Sequence, residues 1–384
     1  MTMSDFGSEF DETMRGSLAV WVGAALLAAL CGCASGSSNT TSSDVPSPSG
    51  PSTFKGLRAQ TASDLIAGRP VAIAYSGFRR GQHPDRGDGA VLPSRAEILE
   101  DLRILLRDGF DMIRLYDARE NSRDVLAVIE REALPMKVLL GAWLNAELSS
   151  HETCEWLDAP TPPATLAANQ KENEREVARV IELAGRYEDI VVAVNVGNET
   201  LVTWNDHLLP IESMVRYLSE VRRGITQPVT TADNYLAWVE HAEALAAHVD
   251  FAFVHSYPVW EGKSVDEALD FTVENLRQVQ DAMGDIPIAI GEAGWATVAV
   301  EFRAQAGEWQ QERYVGELVQ LAHRMNVTTF VFEAFDEPWK GHLANPDGAE
   351  KHWGLYTVDR TPKAFVENGG LRKWASSSLI EDDE

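Results

Sequence analysis

Eight short apolar runs, each followed by an amphipathic stretch, limit the folds open to this chain more than any other feature. Aliphatic and β-branched residues dominate the runs, which is typical of strands buried on both faces. The runs span residues 71–76, 111–116, 136–142, 190–196, 228–232, 249–255, 286–291 and 327–335. Strands that alternate with helices predict an α/β fold, and eight such repeats predict a single closed (β/α)8 TIM barrel over residues 54–376.

The stretches between the runs carry apolar residues at helical spacing. They predict helices over residues 94–107, 122–133, 169–184, 211–223, 235–248, 265–283, 308–325 and 360–374. The segment at 143–165 bears prolines and is predicted to be a long loop. Ser94 followed by Glu97 is a capping-box pattern that predicts the start of the first helix. A doubly wound open sheet is the competing architecture, but residues 75–81 lack the glycine spacing of its phosphate loop.

The first 33 residues have the composition of an export signal. An apolar run at 18–30 follows Arg15 and is too short to span a bilayer comfortably, which favours a signal peptide. Leu-Cys-Gly-Cys, ending at Cys33, resembles a bacterial lipoprotein processing box, in which that cysteine carries the lipid. An ordinary secretory peptide and a transmembrane anchor are the alternatives. Because residues 1–13 are acidic, Met14 is an alternative start of translation.

Composition sets the expected surroundings of the folded part. Residues 34–53 are rich in Ser, Thr, Gly and Pro and predict a polar tether, and residues 377–384 predict a solvated acidic tail. The formal net charge of −26 argues against nucleic acid and anionic membrane surfaces as partners. We therefore expect an exported monomer held at a bacterial membrane by lipid alone. Cys154 is expected to be inert, because it lacks a disulfide partner and a nearby base.

Two of the predicted strands end in a glutamate. Residues 190–199 run from an apolar segment into Gly-Asn-Glu, and residues 286–292 run from another into Gly-Glu. A carboxylate is costly to bury without a partner, so at the end of a buried strand it usually points into a site. Either glutamate alone also fits a structural acid. The shared ending predicts that Glu199 and Glu292 face each other across a cleft.

Polar and aromatic residues gather at the other strand ends, where the active sites of such barrels lie. Aromatic faces stack on the C–H surfaces of sugar rings, and amides and carboxylates bond to hydroxyls. Each aromatic alone also fits core packing, but the set predicts a sugar-binding cleft. The predicted binding residues are Tyr75, Arg114, Tyr116, Asp117, Trp143, Asn198, Asp233, Asn234, His255, Tyr257, Trp260, Trp295, Phe335, Glu337, Trp339 and Lys340.

Two carboxyl groups that face each other suit the cleavage of a glycosidic bond. In the retaining reaction one attacks the anomeric carbon, and the other protonates the leaving oxygen and then activates water. We expect the first to stay ionised, with Arg114 and the hydroxyl of Tyr75 or Tyr257 as donors, although Arg114 equally fits a structural ion pair. We expect burial and nearby negative charge to keep the second protonated near neutrality. No cofactor or metal is predicted, because His241 and His248 are too far apart on their helix to be adjacent ligands.

Five segments together resemble glycoside hydrolase family 17. They are Val-Asn-Val-Gly-Asn-Glu at 194–199, His-Ser-Tyr-Pro at 255–258, Gly-Glu-Ala-Gly-Trp at 291–295, Phe-Glu-Ala-Phe-Asp-Glu-Pro-Trp-Lys at 332–340 and His-Trp-Gly-Leu-Tyr at 352–356. The resemblance covers residues 71–374 and implies a retaining enzyme that acts on β-1,3-glucan. The chain departs from the family at two positions: Ala293 stands where Thr or Ser is usual, and Ala296 stands where Pro is usual. The shape of that loop is therefore not carried over from the family.

The resemblance implies a role for each matching residue. Glu199 matches the general acid/base, Asn198 is placed to bond the sugar 2-hydroxyl, and Glu292 matches the nucleophile. Tyr257 matches a tyrosine near the nucleophile. Glu337 and Lys340 match an acid and a lysine that support the acid/base. Three cleft aromatics are matched by Trp295, Phe335 and Trp339.

These observations lead to one main hypothesis and two alternatives. The main hypothesis is a glycosidase that cleaves β-1,3-glucosidic bonds of laminarin-type glucan by a two-glutamate double displacement. The first alternative is a β-1,3-glucanosyltransferase that elongates or branches glucan. The second is a glucan-binding lipoprotein without catalytic activity. The sequence leaves exo and endo action open.

Overall fold

The structure, a computed structural model, describes residues 54, 56–85, 89–302, 305–342 and 344–376. The predicted signal peptide with Cys33 and Met14, the tether and the acidic tail lie outside these residues and stay predictions. Within the described part, no helix combines the length and the apolar character needed to cross a membrane.

Eight parallel strands close into a barrel in the order in which they occur along the chain. They are β1 (Val71–Ala74), β2 (Met112–Arg114), β3 (Lys137–Ala142), β4 (Val191–Asn198), β5 (Val229–Asn234), β6 (Ala252–His255), β7 (Ile288–Ala293) and β8 (Thr329–Val331). Each strand pairs with the next, and β8 pairs with β1. The prediction of a single (β/α)8 barrel is confirmed, because every predicted run overlaps one of these strands.

Helices follow the strands and pack against the barrel. They are α1 (Arg95–Arg107), α2 (Glu120–Arg131), α3 (Pro163–Arg186), α4 (Ile211–Gly224), α5 (Tyr235–Glu240), α6 (Ala242–Leu245), α7 (Val265–Met283), α8 (Glu308–Met325), α9 (Ala364–Glu367) and α10 (Gly370–Ser376). The predicted capping box at the start of α1 is confirmed, since Ser94 Oγ accepts a hydrogen bond from the backbone N–H of Glu97.

Two of the predicted helices are each broken into two. The predicted helix at 235–248 is interrupted at His241, whose φ of −105° and ψ of 13° are not helical. The predicted helix at 360–374 forms α9 and α10, with Gly369 between them at a φ of 109° that favours glycine. Helix α3 begins earlier than predicted, at Pro163, because proline suits the first turn of a helix.

Alternate residues of the strands fill the inside of the barrel. The apolar residues of this inner cluster are Ile66, Ala72, Met112, Leu139, Ala193, Ala232, Phe251, Phe253, Ala289 and Phe330. The rings of Phe253 and Phe330 pack edge to face with their centroids 5.2 Å apart. Neighbours along the strands, such as Ile73, belong to the larger cluster that packs against the helices. The barrel is therefore a packed core, and a functional site must lie at its mouth.

The strand pairing shifts its register at the C-terminal ends of the strands that carry the two glutamates. The shifts fall between Asn195 and Asn198 against β5 and between Ile290 and Ala293 against β8. Glu199 follows the first shift and has a φ of 51°, in the left-handed region that few side chains adopt. Bulges of this kind re-aim side chains at the rims of barrels, and strained residues concentrate at functional sites.

Candidate active site

The C-terminal ends of the strands open into a cleft of about 1320 Å³. Glu199 and Glu292 both line it. Eleven of the sixteen predicted binding residues also line it, namely Tyr75, Tyr116, Asp117, Trp143, Asn198, Asn234, Tyr257, Trp260, Glu337, Trp339 and Lys340. The prediction that the strand ends form one cleft therefore agrees with the structure for most of the set.

The two glutamates lie close together on either side of a buried histidine. Carboxylate oxygens of Glu199 and Glu292 and a ring nitrogen of His255 lie within 4.8 Å of one another. Nδ1 of His255 lies 2.9 Å from Oε1 of Glu199, and its Nε2 lies 3.6 Å from Oε1 of Glu292. Strands β4, β6 and β7 thus bring the three side chains to one point, as the shared strand endings predict.

Three donors surround the carboxylate of Glu292. Nη1 of Arg114 donates to Oε1 over 3.0 Å, and the hydroxyl of Tyr116 donates to the same oxygen over 2.8 Å. The hydroxyl of Tyr257 donates to Oε2 over 2.6 Å. Burial and the negative charge of Glu292 raise the pKa of both tyrosines, so both hydroxyls keep the proton that they donate. The carboxylate of Glu292 therefore accepts hydrogen bonds at both of its oxygens.

Arg114 lies beneath the cleft, fully buried, and joins several parts of the site. Its Nη2 donates to Oδ1 of Asn198 over 2.6 Å, and its Nη1 also approaches the carbonyl of Gly291 to 3.0 Å. The guanidinium carbon lies 4.6 Å from the ring centroid of Tyr116 and 4.9 Å from that of Phe253. The two alternatives for Arg114, a donor to Glu292 and a structural ion pair, therefore describe the same contact.

Glu199 is held in its ionised form. Its Oε2 accepts a hydrogen bond from Nδ2 of Asn205 over 3.1 Å, in addition to the contact with His255. Burial acts to raise the pKa of Glu199, but the hydrogen bonds and the charge of His255 outweigh it and lower the pKa to about 2. The direction of this pKa runs against the expectation that the acid is protonated near neutrality, because donors surround the carboxylate.

A second histidine supports the backbone that carries Glu199. Nε2 of His207 donates to the carbonyl of Asn198 over 2.8 Å, and its Nδ1 lies 2.8 Å from Oδ1 of Asp206. Burial acts to lower the pKa of His207, but its contacts with Asp206 raise it overall. Sequence reasoning missed Asn205 and His207, although both stand within eight residues of Glu199 in a polar loop.

Glu337 and Lys340 lie in the cleft wall, where Lys340 pairs with two acids. Its Nζ lies 2.8 Å from Oε2 of Glu333 and 2.6 Å from Oε2 of Glu337. Burial and the charge of Glu337 raise the pKa of Glu333 well above its usual range. The resemblance implies that Glu337 and Lys340 support Glu199, but the hydrogen bonds described above reach Glu199 from His255 and Asn205 instead.

Five predicted binding residues do not line the cleft in the described part of the chain. The prediction that they contact sugar directly is therefore corrected. They are Arg114, Asp233, His255, Trp295 and Phe335. Trp295 is buried, and its indole N–H donates to the carbonyl of Gln305 over 2.7 Å. Phe335 is also buried and packs against the ring of Tyr356 at 5.3 Å. Both aromatics belong to the core because their loops turn them inward.

Asp233 and Tyr75 make other contacts than those expected, whereas Tyr257, the alternative to Tyr75, does donate to Glu292. The carboxylate of Asp233 accepts hydrogen bonds from the backbone N–H groups of Leu201 and Asn234, so it caps a loop. The hydroxyl of Tyr75 lies 3.3 Å from Oδ2 of Asp101 and does not serve Glu292 as a donor, although its ring borders the cleft. Tyr116 takes the place that was expected for Tyr75.

Other cleft residues escaped sequence reasoning. They include Trp156 and Trp353, both on loops that the strand pattern does not place. Trp353 is buried against the rings of Tyr257 and Phe332, with centroids 5.2 Å and 5.9 Å away. The segment His-Trp-Gly-Leu-Tyr at 352–356, one of the five that resemble the family, was the signal that could have placed Trp353 in the site.

Glu199, His255 and Glu292 also have the ligand types and spacing that a metal ion would need. Arg114 already donates to Glu292 and lies 3.0 Å from Nε2 of His255. A guanidinium that neutralises this group removes the charge that would attract a cation. The geometry therefore suits proton transfer and nucleophilic attack better than metal binding.

Comparison with known proteins identifies relatives of the chain. A sequence model of the BtgE/BtgC glycoside hydrolase domain matches residues 72–354. A glucan 1,3-beta-glucosidase of Arthroderma benhamiae is 29% identical over 328 residues, which cover 80% of this chain and 96% of that protein.

Solved structures share the fold. An endo-laminarinase from Formosa Hel1_33_131 superposes with a TM-score of 0.67 at 24% identity, covering 84% of this chain and 91% of that one. A Rhizomucor miehei β-1,3-glucanosyltransferase of glycoside hydrolase family 17 superposes with a TM-score of 0.58 at 22% identity, covering 79% and 97%. An active-site mutant of that transferase was crystallised with laminaritriose.

Proposed function

The chain belongs to the family of the BtgE/BtgC glycoside hydrolase domain and is a glycosidase of the family 17 type, and on that premise we propose that it is a retaining β-1,3-glucanase. Its substrate would be a laminarin-type β-glucan, cleaved by a double displacement between Glu199 and Glu292. Glu292 would attack the anomeric carbon, and the glycosidic oxygen would leave with a proton from Glu199. Glu199 would then take a proton from water, whose oxygen would displace Glu292 from the anomeric carbon.

The separation of the two carboxylates carries this proposal. Retaining glycosidases hold the two groups about 5–5.5 Å apart, whereas inverting enzymes leave room for a water between them. One carboxylate oxygen of Glu199 and one of Glu292 lie within 4.8 Å of each other, which supports retention. The three donors to Glu292 support its part as the nucleophile, because they stabilise the carboxylate form.

The pKa of Glu199 sets a condition on the first step. A pKa of about 2 in the free site leaves Glu199 ionised, which is the form that accepts a proton from water in the second step, but it also makes Glu199 a weak base. To act as an acid, Glu199 must gain a proton when the glucan fills the cleft. Bound sugar displaces water from Glu199, which adds to the burial that already raises its pKa. The adjacent negative charge of Glu292 acts in the same direction until the covalent intermediate forms.

The two roles can be tested with matched variants and azide. Glu292→Ala should lose roughly 10³-fold or more of its laminarin hydrolysis, and azide should restore turnover of an aryl β-glucoside as the α-glycosyl azide. Glu199→Ala should instead give the β-glycosyl azide, because the nucleophile is still present. Glu261→Ala is the control, since Glu261 lines the same cleft but is exposed. Full activity in Glu292→Ala would refute the assignment.

Transfer of the glycosyl group to a second sugar is the alternative that the cleft itself favours. Exposed tryptophans line the cleft together with Glu199, and they offer a surface for an acceptor. Product sizing at high oligosaccharide concentration distinguishes the two: products longer than the donor indicate transfer. The glucan-binding alternative would require glucan affinity without release of reducing ends, and the close carboxylate pair argues against it.

Export remains part of the proposal. The predicted signal peptide and processing box would place the enzyme outside the cytoplasm, with lipid on Cys33. Labelled palmitate should enter the wild-type protein in a bacterial host and should not enter the Cys33→Ser variant. Equal labelling of both would rule out the lipid anchor.

A further inference from the structure

Three of the tryptophans that line the cleft are exposed; one is Trp260, and the other two are Trp156 and Trp204. Trp156 is 59% exposed and Trp204 is 41% exposed. A single exposed aromatic on a protein surface needs no explanation, but these two line the same cavity as the catalytic glutamates. They come from different loops, one after β3 and one after β4.

Trp156 is held in place although its ring is open to solvent. Its side chain lies beside the carboxylate of Asp206, and this contact helps to lower the pKa of that acid. Asp206 in turn contacts His207, whose Nε2 donates to the backbone carbonyl of Asn198. The exposed ring is therefore fixed by a chain of polar contacts that ends beside Glu199. When a surface is already ordered before a ligand binds, less conformational entropy is lost on binding.

The two loops that carry these tryptophans are bound to each other. The hydroxyl of Thr153 donates to the carbonyl of Thr203, and the hydroxyl of Ser150 donates to the carbonyl of Asn205. The backbone N–H groups of Glu147 and Leu148 both lie 3.0 Å from the carbonyl of Leu208. These contacts tie the backbones of the two loops together near both tryptophans.

The position of Glu199 identifies the part of the cleft that these two tryptophans line. In the proposed reaction Glu199 protonates the oxygen of the leaving sugar, so the leaving chain lies on the Glu199 side of the anomeric carbon. Trp204, Asn205 and Asp206 follow Glu199 directly on the loop after β4. Trp156 and Trp204 therefore lie where glucose units of a leaving or accepting chain would bind.

We propose that Trp156 and Trp204 form a binding site for the leaving or accepting strand of β-glucan, two or more glucose units beyond the bond that is cleaved. This inference rests on the proposed function. The ring faces would stack on the C–H surfaces of the sugars, and the carboxylate and amide groups between them would accept and donate hydrogen bonds to hydroxyls. The site would favour long substrates over short ones and would raise transfer relative to hydrolysis.

A comparison of long and short substrates tests the site. Trp156→Ala should lower kcat/KM for laminarihexaose about tenfold, which corresponds to the loss of one aromatic contact. It should leave kcat/KM for a 4-nitrophenyl β-laminaribioside within about twofold, because that leaving group does not extend to the tryptophans. The yield of products longer than the donor should fall in the same variant.

Trp309→Ala is the matched control. Trp309 is 60% exposed, lies on α8 and is not among the described residues that line the cleft. The proposal is overturned if Trp156→Ala changes the two substrates equally, or changes neither more than Trp309→Ala does. Trp156→Phe should keep more of the hexaose activity than Trp156→Ala, because it retains an aromatic ring.

A binding measurement separates this proposal from the proposed function. Laminarihexaose affinity is measured by calorimetry in the Glu292→Ala background, with and without Trp156→Ala. A tenfold weaker Kd in the double variant supports the site, and an unchanged Kd overturns it. If the wild-type enzyme does not cleave laminarihexaose at all, the proposed function fails, and the affinity still decides whether Trp156 binds glucan.

Discussion

Glu292 depends on two phenol hydroxyls that reach its carboxylate from different strands. Tyr116 serves Oε1 and Tyr257 serves Oε2. We expect Tyr116→Phe and Tyr257→Phe each to lower kcat/KM for laminarin by roughly 10- to 100-fold, because a buried donor to the reacting group is lost. KM should change little, since neither hydroxyl is free to bind sugar. Initial rates over a range of laminarin concentrations would measure the effect.

Tyr75→Phe is the control for those two variants. Its hydroxyl lies near Asp101 and not near Glu292, so its removal should affect stability more than kcat. Burial raises the pKa of Tyr75, which keeps the hydroxyl protonated in the wild-type protein. If Tyr75→Phe lost as much kcat/KM as Tyr257→Phe, the two hydroxyls at Glu292 would have no special part in catalysis.

Asp233 makes the stability of the protein depend on pH. Burial and the charge of Glu199 raise its pKa to about 7, against about 3.9 in an unfolded chain. Because the folded pKa is the higher one, the stabilisation is complete below about pH 4 and is lost as pH rises to about 7. Asp233→Asn cannot lose a proton, so it should gain stability relative to the wild type over this window, by a few kcal/mol at most.

Urea unfolding at pH 4, 5.5, 7 and 8 would measure this difference between wild type and variant. Asp359→Asn is the control, because Asp359 is exposed and its hydrogen bond to Arg80 lowers its pKa. Its difference from wild type should stay flat between pH 4 and pH 7. A flat difference for Asp233→Asn as well would mean that Asp233 titrates normally in the folded protein.

At the scale of elements, the strands were predictable and the helix boundaries less so. Eight apolar runs identify eight strands, because a strand buried on both faces has few other sequence patterns. The break at His241 carries no proline or glycine that would mark it in the sequence. The break near Gly369 does carry the pair Gly369 and Gly370, which amphipathic spacing alone overlooks.

Gly294 marks a contact between elements that only glycine permits. It follows β7, and a Cβ added there would lie 1.9 Å from the carbonyl oxygen of Phe332, just after β8. We expect Gly294→Ala to reduce the free energy of unfolding by about 3 kcal/mol or more, because two backbone segments would have to separate. It should also lower activity, since Glu292 is two residues away. Urea unfolding and laminarin hydrolysis would measure both effects.

Gly185 provides the opposite case on the same chain. It lies in α3, and a Cβ added there meets no described atom within 4 Å. Gly185→Ala should stabilise the protein by about 0.5–1 kcal/mol, because alanine loses less backbone freedom in a helix. If Gly294→Ala unfolded at the same urea concentration as Gly185→Ala, the backbone segments after β7 and β8 could separate at little cost in free energy.

At the scale of the whole molecule, the sequence indicates which residue types meet at the mouth of the barrel but not which way each one turns. Glu199 and Glu292 were found because a carboxylate at the end of an apolar strand is unusual. The orientations of Trp295, which is buried, and of Asn205, which reaches Glu199, depend on how the loops fold back after the strands. Loop packing is tertiary, so no local pattern in the chain encodes it.

The net charge of −26 is a property of the whole molecule that makes stability depend on salt. Self-repulsion destabilises a compact acidic protein, and salt screens it, with a Debye length of roughly 30 Å at 10 mM and 10 Å at 100 mM. Salt also weakens surface ion pairs such as Arg95 with Asp124, but an exposed pair contributes little. We therefore expect Tm at pH 7 to rise by roughly 2 °C between these NaCl concentrations, about 1 kcal/mol for a protein of this size.

The same titration near pH 4.7, the isoelectric point of the sequence, is the control. There the net charge is close to zero, so screening has no net repulsion to remove and Tm should respond weakly to NaCl. A fall in Tm with NaCl at pH 7 would mean that attractive pairs, and not the excess of acids, dominate the electrostatics of the folded protein.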